Sequence, residues 1–396
     1  MNDTGWPGAT QSTGIALLNA RLVTPEAEVA GGIALRDGLI AACGADLPGP
    51  GSGADIVHDC EGDYLIPGIV DLHTDHVERH ALPRAHVQWN ADQALAAHDA
   101  VVISGGTTTV FDSLCVGASV QHPERREMLA PLVEAIERGM AEGRFRAEHL
   151  IHMRCEITDP QTPALAQPHL DRPIVRLVSV MDHTPGDRQS PDTERWLRAT
   201  SKAMQISLEE GRAVMAELLE RSARVGAGVE ADVIAMAREH GLPVMSHDDR
   251  TEAHVDAACA AGVQVSEFPT TLAAARHARA TGLGIVAGAP NILRGGSQSG
   301  NVAVHALLAE GLVDALASDY VPRSPLEAAF AIADDPSLPI ALPQAVAMVT
   351  ATPARMAGLT DRGTLALGQR ADLVQVRRAA GRSHVVAVWR AGRRVY

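Results

Sequence analysis

Between residues 66 and 318 the chain repeats one pattern eight times: a short apolar run, then a longer stretch rich in Ala, Leu, Glu and Arg. Strand-length apolar runs alternating with helical stretches mark βα units, whose parallel strands are buried on both faces. The runs fall at 66–73, 105–112, 149–156, 174–182, 242–247, 263–268, 283–289 and 313–318. Eight such units fit a (β/α)8 barrel of the TIM type, which typically takes ~250 residues. The segment 188–240 is longer than one connection needs and predicts two or more helices, with 199–220 helical.

The two ends differ from this middle. Residues 14–67 and the tail beyond 371 read as short strands separated by turn residues, with Gly-Pro-rich sequence over 48–53. The expectation is a small β-sandwich domain formed from both termini, residues 1–67 plus 359–396, around a barrel of residues 68–358.

Composition narrows the partners. Aromatic residues are only 3%, so the core must be built mostly from Ala, Val, Leu and Ile. A formal net charge of −14 argues against nucleic acid or an anionic membrane. A local arginine cluster can still receive an anionic small molecule, and nothing in the pattern opposes a homo-oligomer. Five scattered cysteines form no CxxC pair, which suits a reducing compartment. The first residues lack a basic region followed by an apolar run, and the chain reads as cytoplasmic.

In barrels of this kind the chemistry gathers at the C-terminal ends of the strands. Here the apolar runs stop at metal-competent residues. The first ends Asp71-Leu72-His73-Thr74-Asp75, and the i, i+2 spacing of His73 and Asp75 puts both side chains on one face. The third ends His152-Met153-Arg154-Cys155-Glu156, the fourth Met181-Asp182-His183, the fifth Ser246-His247-Asp248 and the eighth Ser318-Asp319. One buried histidine is more often a hydrogen-bonded core residue than a ligand. Five strands ending this way would require five coincidences. The set predicts two divalent cations: Zn²⁺ first, with Mn²⁺ or Fe²⁺ as competitors.

Two adjacent cations need a bridging carboxylate. The chain has one lysine, Lys202, within a helical stretch, so a carboxylated lysine is unavailable and Glu156 is the expected bridge. Metal-assisted hydrolysis also needs a carboxylate that orients water and takes its proton, and Asp319 is the expected base as well as a ligand. An N-cap ahead of Pro322 is the competing role for Asp319.

An oxyanion site is suggested by Arg154 on the metal-facing side of its strand, by Arg188 beyond Asp182-His183, and by Arg294 opening Gly295-Gly296-Ser297. Surface salt bridges and sharp turns compete for each of these.

The HxD strand, the His-terminated strands and Ala317-Ser318-Asp319 resemble the amidohydrolase superfamily. Longer blocks, among them Val178-Ser-Val-Met-Asp-His-Thr-Pro-Gly, Glu267-Phe-Pro-Thr-Thr and Arg294-Gly-Gly-Ser-Gln-Ser-Gly-Asn, resemble its α-D-ribose 1-methylphosphonate 5-triphosphate diphosphatase family. That resemblance implies release of pyrophosphate from the 5-triphosphate, as in phosphonate catabolism by the carbon–phosphorus lyase route. It implies His73 and Asp75 on one metal, His183 and His247 on the other, Glu156 bridging and Asp319 as base. The family carries His where this chain has Gln298, and the usual superfamily arrangement places the two single histidines one strand later than here. The alternative is an amidohydrolase cleaving an amide C–N bond, of the deacetylase or D-aminoacylase type.

Overall fold

The computed structural model describes residues 14–45, 47, 54–84, 87–118, 124–297 and 299–396. The expectation for Gln298 lies outside the described residues, as does the whole Gly-Pro-rich stretch 48–53. The chain forms two eight-stranded sheets. The first gathers β1 (Ile15–Val23), β2 (Glu28–Arg36), β3 (Leu39–Gly44), β4 (Ile56–Asp59) and β5 (Tyr64–Pro67) from the N-terminal side. It is completed by β14 (Leu373–Ala379), β15 (Arg382–Arg390) and β16 (Arg393–Arg394), with β14 antiparallel to β5. Leu17, Leu22, Ile33, Leu65, Leu373 and Trp389 pack together as its own core.

The second sheet is parallel, in sequence order: β6 (Ile69–Thr74), β7 (Thr107–Val116), β8 (Glu148–Glu156), β9 (Val175–Met181), β10 (Val244–His247), β11 (Val265–Glu267), β12 (Gly284–Gly288) and β13 (Ala315–Ala317). The last strand returns to the first, where Asp319 N–H donates to His73 C=O at 2.9 Å and Thr74 pairs with Asp319 in a parallel bridge. The eight units expected from the apolar runs are all present in the expected order. Val70, Leu72, Phe111, Leu150, Leu177, Met245 and Val286 fill the interior, and Phe111 is the largest fully buried side chain.

Two expectations change. The run at 66–73 is not one strand: Tyr64–Pro67 belongs to the terminal sheet and Ile69–Thr74 to the barrel. Gly68 makes the break, because a Cβ there would sit 2.2 Å from Thr108 Oγ1 and 2.8 Å from Asp372 Cβ. Only glycine lets the two sheets approach this closely. The helix expected over 199–220 is also interrupted. One helix spans Thr193–Met204, Gln205 turns left-handed at φ 57°, and Ser207 starts a second helix, Leu208–Glu239. A capping box explains the restart, since Ser207 and Glu210 satisfy each other's backbone N–H groups.

Candidate metal centre

A cavity of about 490 Å³ opens at the C-terminal mouth of the barrel and is lined by His73, Asp75, Arg154, His183, His247 and Asp319. Every one of these residues ends a strand or lies within two residues of one. Three strand ends, β10, β11 and β13, turn through left-handed non-glycine residues: Asp248 at φ 57°, Phe268 at 56° and Asp319 at 53°. That conformation is uncommon outside glycine and clusters at functional sites. The Asp319 carbonyl accepts from Thr74 Oγ1, and the next helix begins at Ser324 with Arg323 at its cap. The competing N-cap role for Asp319 is therefore not realised.

Each imidazole facing the cavity is held through its Nδ1. His73 Nδ1 and His247 Nδ1 lie 2.7 Å from the two oxygens of one carboxylate, Glu267, which is completely buried. His183 Nδ1 lies 2.5 Å from Glu156 Oε2. The His73 and His247 rings stack at 5.7 Å, with Phe268 edge-on to both at 5.0 and 5.4 Å. A carboxylate on one ring nitrogen fixes the tautomer and ring plane and makes the opposite nitrogen a better ligand.

The electrostatics agree with this division of labour. Burial opposes charge on Glu267, but His73 and His152 outweigh it and hold the carboxyl well below the ordinary range. Burial likewise opposes charge on Glu156, and His183 outweighs it. His247 is raised because Asp248 and Glu267 overcome its burial. His152, buried behind His73 with Nδ1 on the Leu72 carbonyl, is pushed down to about 3 by burial and stays neutral. Asp319 behaves oppositely to Glu267. Burial pushes its carboxyl up to about 6, opposed by His73 and reinforced by Asp75.

The donor set fits a divalent cation. Three imidazoles clamped at Nδ1 leave three Nε2 atoms for the cavity side, although His247 Nε2 also lies 3.3 Å from Asp248 Oδ2. Asp75 Oδ1 is buried without any hydrogen-bond partner. An anionic oxygen left bare in this way is costly unless a cation meets it.

Several expected residues lie elsewhere. Glu156 does not line the cavity: Oε1 accepts from Thr158 N–H and Oγ1 at 3.2 and 2.7 Å, and Oε2 is taken by His183. With both oxygens engaged, it is the partner of His183 rather than a bridge. Arg188 points away from the cavity, its Nη1 2.9 Å from Asp249 Oδ1 and 3.0 Å from the His247 carbonyl. Asp249 is fully buried and requires that counter-charge. Arg294 and Gly295 are exposed, and Gly295 at φ 74° is the left-handed cap of the helix Ala289–Arg294. Gly296 is not among the lining residues, whereas Ser297 is.

The cationic lining is instead Arg154 with Arg79, Arg125 and Arg195. Arg154 is almost fully buried, its Nη1 3.9 Å from Asp75 Oδ2. Arg125 pairs with Glu78 at 2.9 Å, and Arg195 donates to the Ser299 carbonyl at 3.2 Å. Arg79, Arg125, Arg195 and Glu267 are not among the site residues the sequence singles out. Glu267 had the same signal as the others, an apolar run ending in a carboxylate.

Residues 76–396 match the Amidohydrolase family. The chain belongs to the amidohydrolase family. Among curated proteins, it is 39% identical over 378 residues to the alpha-D-ribose 1-methylphosphonate 5-triphosphate diphosphatase of Escherichia coli (strain K12), covering 96% of this chain and 99% of that one. It is 28% identical to an imidazolonepropionase of Mesorhizobium japonicum, covering 92% of this chain and 93% of the other. Among solved structures of this amidohydrolase fold, N-isopropylammelide isopropylaminohydrolase from Burkholderia multivorans superposes with a TM-score of 0.63 at 19% identity, over 96% of this chain and 98% of the other. No helix among the described residues is long and apolar enough to cross a membrane.

Proposed function

We propose that this amidohydrolase hydrolyses α-D-ribose 1-methylphosphonate 5-triphosphate, releasing pyrophosphate and leaving the 5-phosphate. The observation that carries this reading is the coexistence, in one cavity, of a cation-binding donor set and four arginines. Amide cleavage does not need four guanidinium groups, whereas a triphosphate does. The 39% identity to the E. coli diphosphatase along nearly the whole chain supports the same substrate.

His73, Asp75, His183, His247 and Asp319 would hold a divalent cation, Zn²⁺ first and Mn²⁺ or Fe²⁺ next. When bound, such an ion brings the pKa of a water toward neutrality and neutralises phosphoryl charge. Glu267 and Glu156 orient the imidazoles. Asp319 takes the proton of the attacking water, as a carboxylate facing the cavity just beyond β13. Arg154 and Arg125 contact the triphosphate from the floor of the cavity, Arg79 and Arg195 from its rim, and Ser297 adds a hydroxyl. The anhydride that breaks lies between the α and β phosphorus atoms, so water oxygen enters and pyrophosphate leaves.

The test is to incubate metal-loaded protein with a ribose 5-triphosphate and, separately, with N-acyl amino acids. Pyrophosphate is expected from the first and no amine from the second. Amide cleavage without pyrophosphate would replace this reading with the deacetylase or D-aminoacylase alternative.

A further inference from the structure

Beside the catalytic mouth lies a second nitrogen-rich cluster that this function does not use. His76 and His80 sit one turn apart on the helix His76–Ala81, and both meet His98 of the helix Ala91–Ser104. One nitrogen of each lies within 4.8 Å of one nitrogen of the others. The ring centroids are 4.8, 5.8 and 6.0 Å apart. His98 is completely buried.

Two features separate this cluster from ordinary packing. His76 Nδ1, His80 Nε2 and His98 Nδ1 are all buried and have no hydrogen-bond partner. An unsatisfied buried polar atom costs about 1–3 kcal/mol, so three in one place are a large expense for a contact that alkyl side chains could make. His98 is also oriented from behind. Its Nε2 lies 2.8 Å from Asp112 Oδ1, whose other oxygen is 2.7 Å from His149 Nδ1. With Nε2–H donating to Asp112, the Nδ1 lone pair of His98 faces the other two rings, the arrangement of a carboxylate–histidine–metal triad.

The dimensions agree. Zn–N bonds of about 2.0–2.1 Å in tetrahedral geometry place ligand nitrogens about 3.4 Å apart and their ring centroids roughly 5 Å apart. The observed nitrogens, within 4.8 Å of one another, and centroids, 4.8 to 6.0 Å apart, lie near that geometry. Two histidines at i, i+4 on one helix face are a recurrent zinc-binding arrangement.

We propose that His76, His80 and His98 form a separate site for a divalent transition cation of the Zn²⁺ class, with water completing the coordination. The site shares no ligand with the barrel-mouth centre. Its effect is to pin the helix His76–Ala81, which follows Asp75 directly and carries Arg79, against the helix Ala91–Ser104.

The test uses the full chain loaded with Zn²⁺ and desalted, with metal per chain measured by elemental analysis. His80→Asn and His76→Gln are each expected to carry one equivalent less than the parent. Crystals of the parent are expected to show an anomalous peak at the zinc edge among the three rings. Equal stoichiometry in the parent and the folded variants, or no peak among the rings, overturns the site. Should either variant fail to fold, the anomalous map of the parent decides. Neither readout depends on the substrate, so failure of the pyrophosphate assay leaves this proposal standing.

Discussion

Single side chains divide here into those that face the cavity and those that hold them. Asp319 faces it, and burial raises its carboxyl above the ordinary range. Asp319→Asn is expected to retain most of the metal while kcat falls at least about 100-fold, because an amide cannot accept the proton. A variant that keeps a near-parental rate in a pyrophosphate-release assay would remove Asp319 as base. Arg188 belongs to the second kind. Arg188→Ala strands a fully buried Asp249 with only the hydroxyls of Ser246 and Ser266, and is expected to cost roughly 3 kcal/mol in denaturant unfolding. A KM increase at unchanged stability would instead place its guanidinium on the substrate. Legibility in the sequence follows the same division. His73, His183, His247 and Asp319 announce themselves because they interrupt apolar runs. The Arg188–Asp249 pair spans 61 residues, and no local pattern shows that one needs the other. Arg79 and Arg125 were illegible because they come from helices, where an arginine on the surface and one leaning into a cavity have the same neighbours in sequence.

At the scale of elements, the barrel strands were legible because each is short, apolar and buried on both faces, whereas their ends were not. Expectations began two residues early at β10 and β11, where the apolar Leu242 and Val263 precede the strands. The packing of β7 and β8 against the helix Ala91–Ser104 contains a polar network no periodicity reveals: Asp112 between His98 and His149, with Asp99 3.5 Å from His149 Nε2. Burial opposes the charge on His149, but Asp112 and Asp99 outweigh it and raise it from 6.5 to about 9. A group raised on folding contributes stability that is complete below its unfolded value and lost as pH climbs through the folded one. The unfolding free-energy difference between the parent and His149→Gln is therefore expected to be largest below about pH 6.5 and to shrink through pH 9. A difference independent of pH between 6 and 10 would show that His149 is neutral in the fold.

Over the whole molecule, the two sheets are joined by charge as well as by backbone. Glu148, at the foot of β8, pairs with Arg362 at 2.7 Å and with Arg370, which also engages Asp372 beside β14. Both arginines are largely buried. Glu148→Gln leaves them facing each other without their shared counter-ion, and is expected to cost roughly 3 kcal/mol in thermal unfolding and to speed hydrogen exchange in β14. Unchanged exchange in β14 would mean that the junction is held by apolar contact alone.

The terminal sheet also sets a schedule for biosynthesis. Gln375 on β14 reaches back to Asp63 across 312 residues, and β5, its neighbour, runs through Gly68 directly into the strand that carries His73. As the polypeptide leaves the ribosome, β5 has one edge bare until some three hundred further residues have emerged. The nascent molecule thus waits with the strand that leads into His73 paired on one edge only, and that open edge is where mispairing during synthesis is expected.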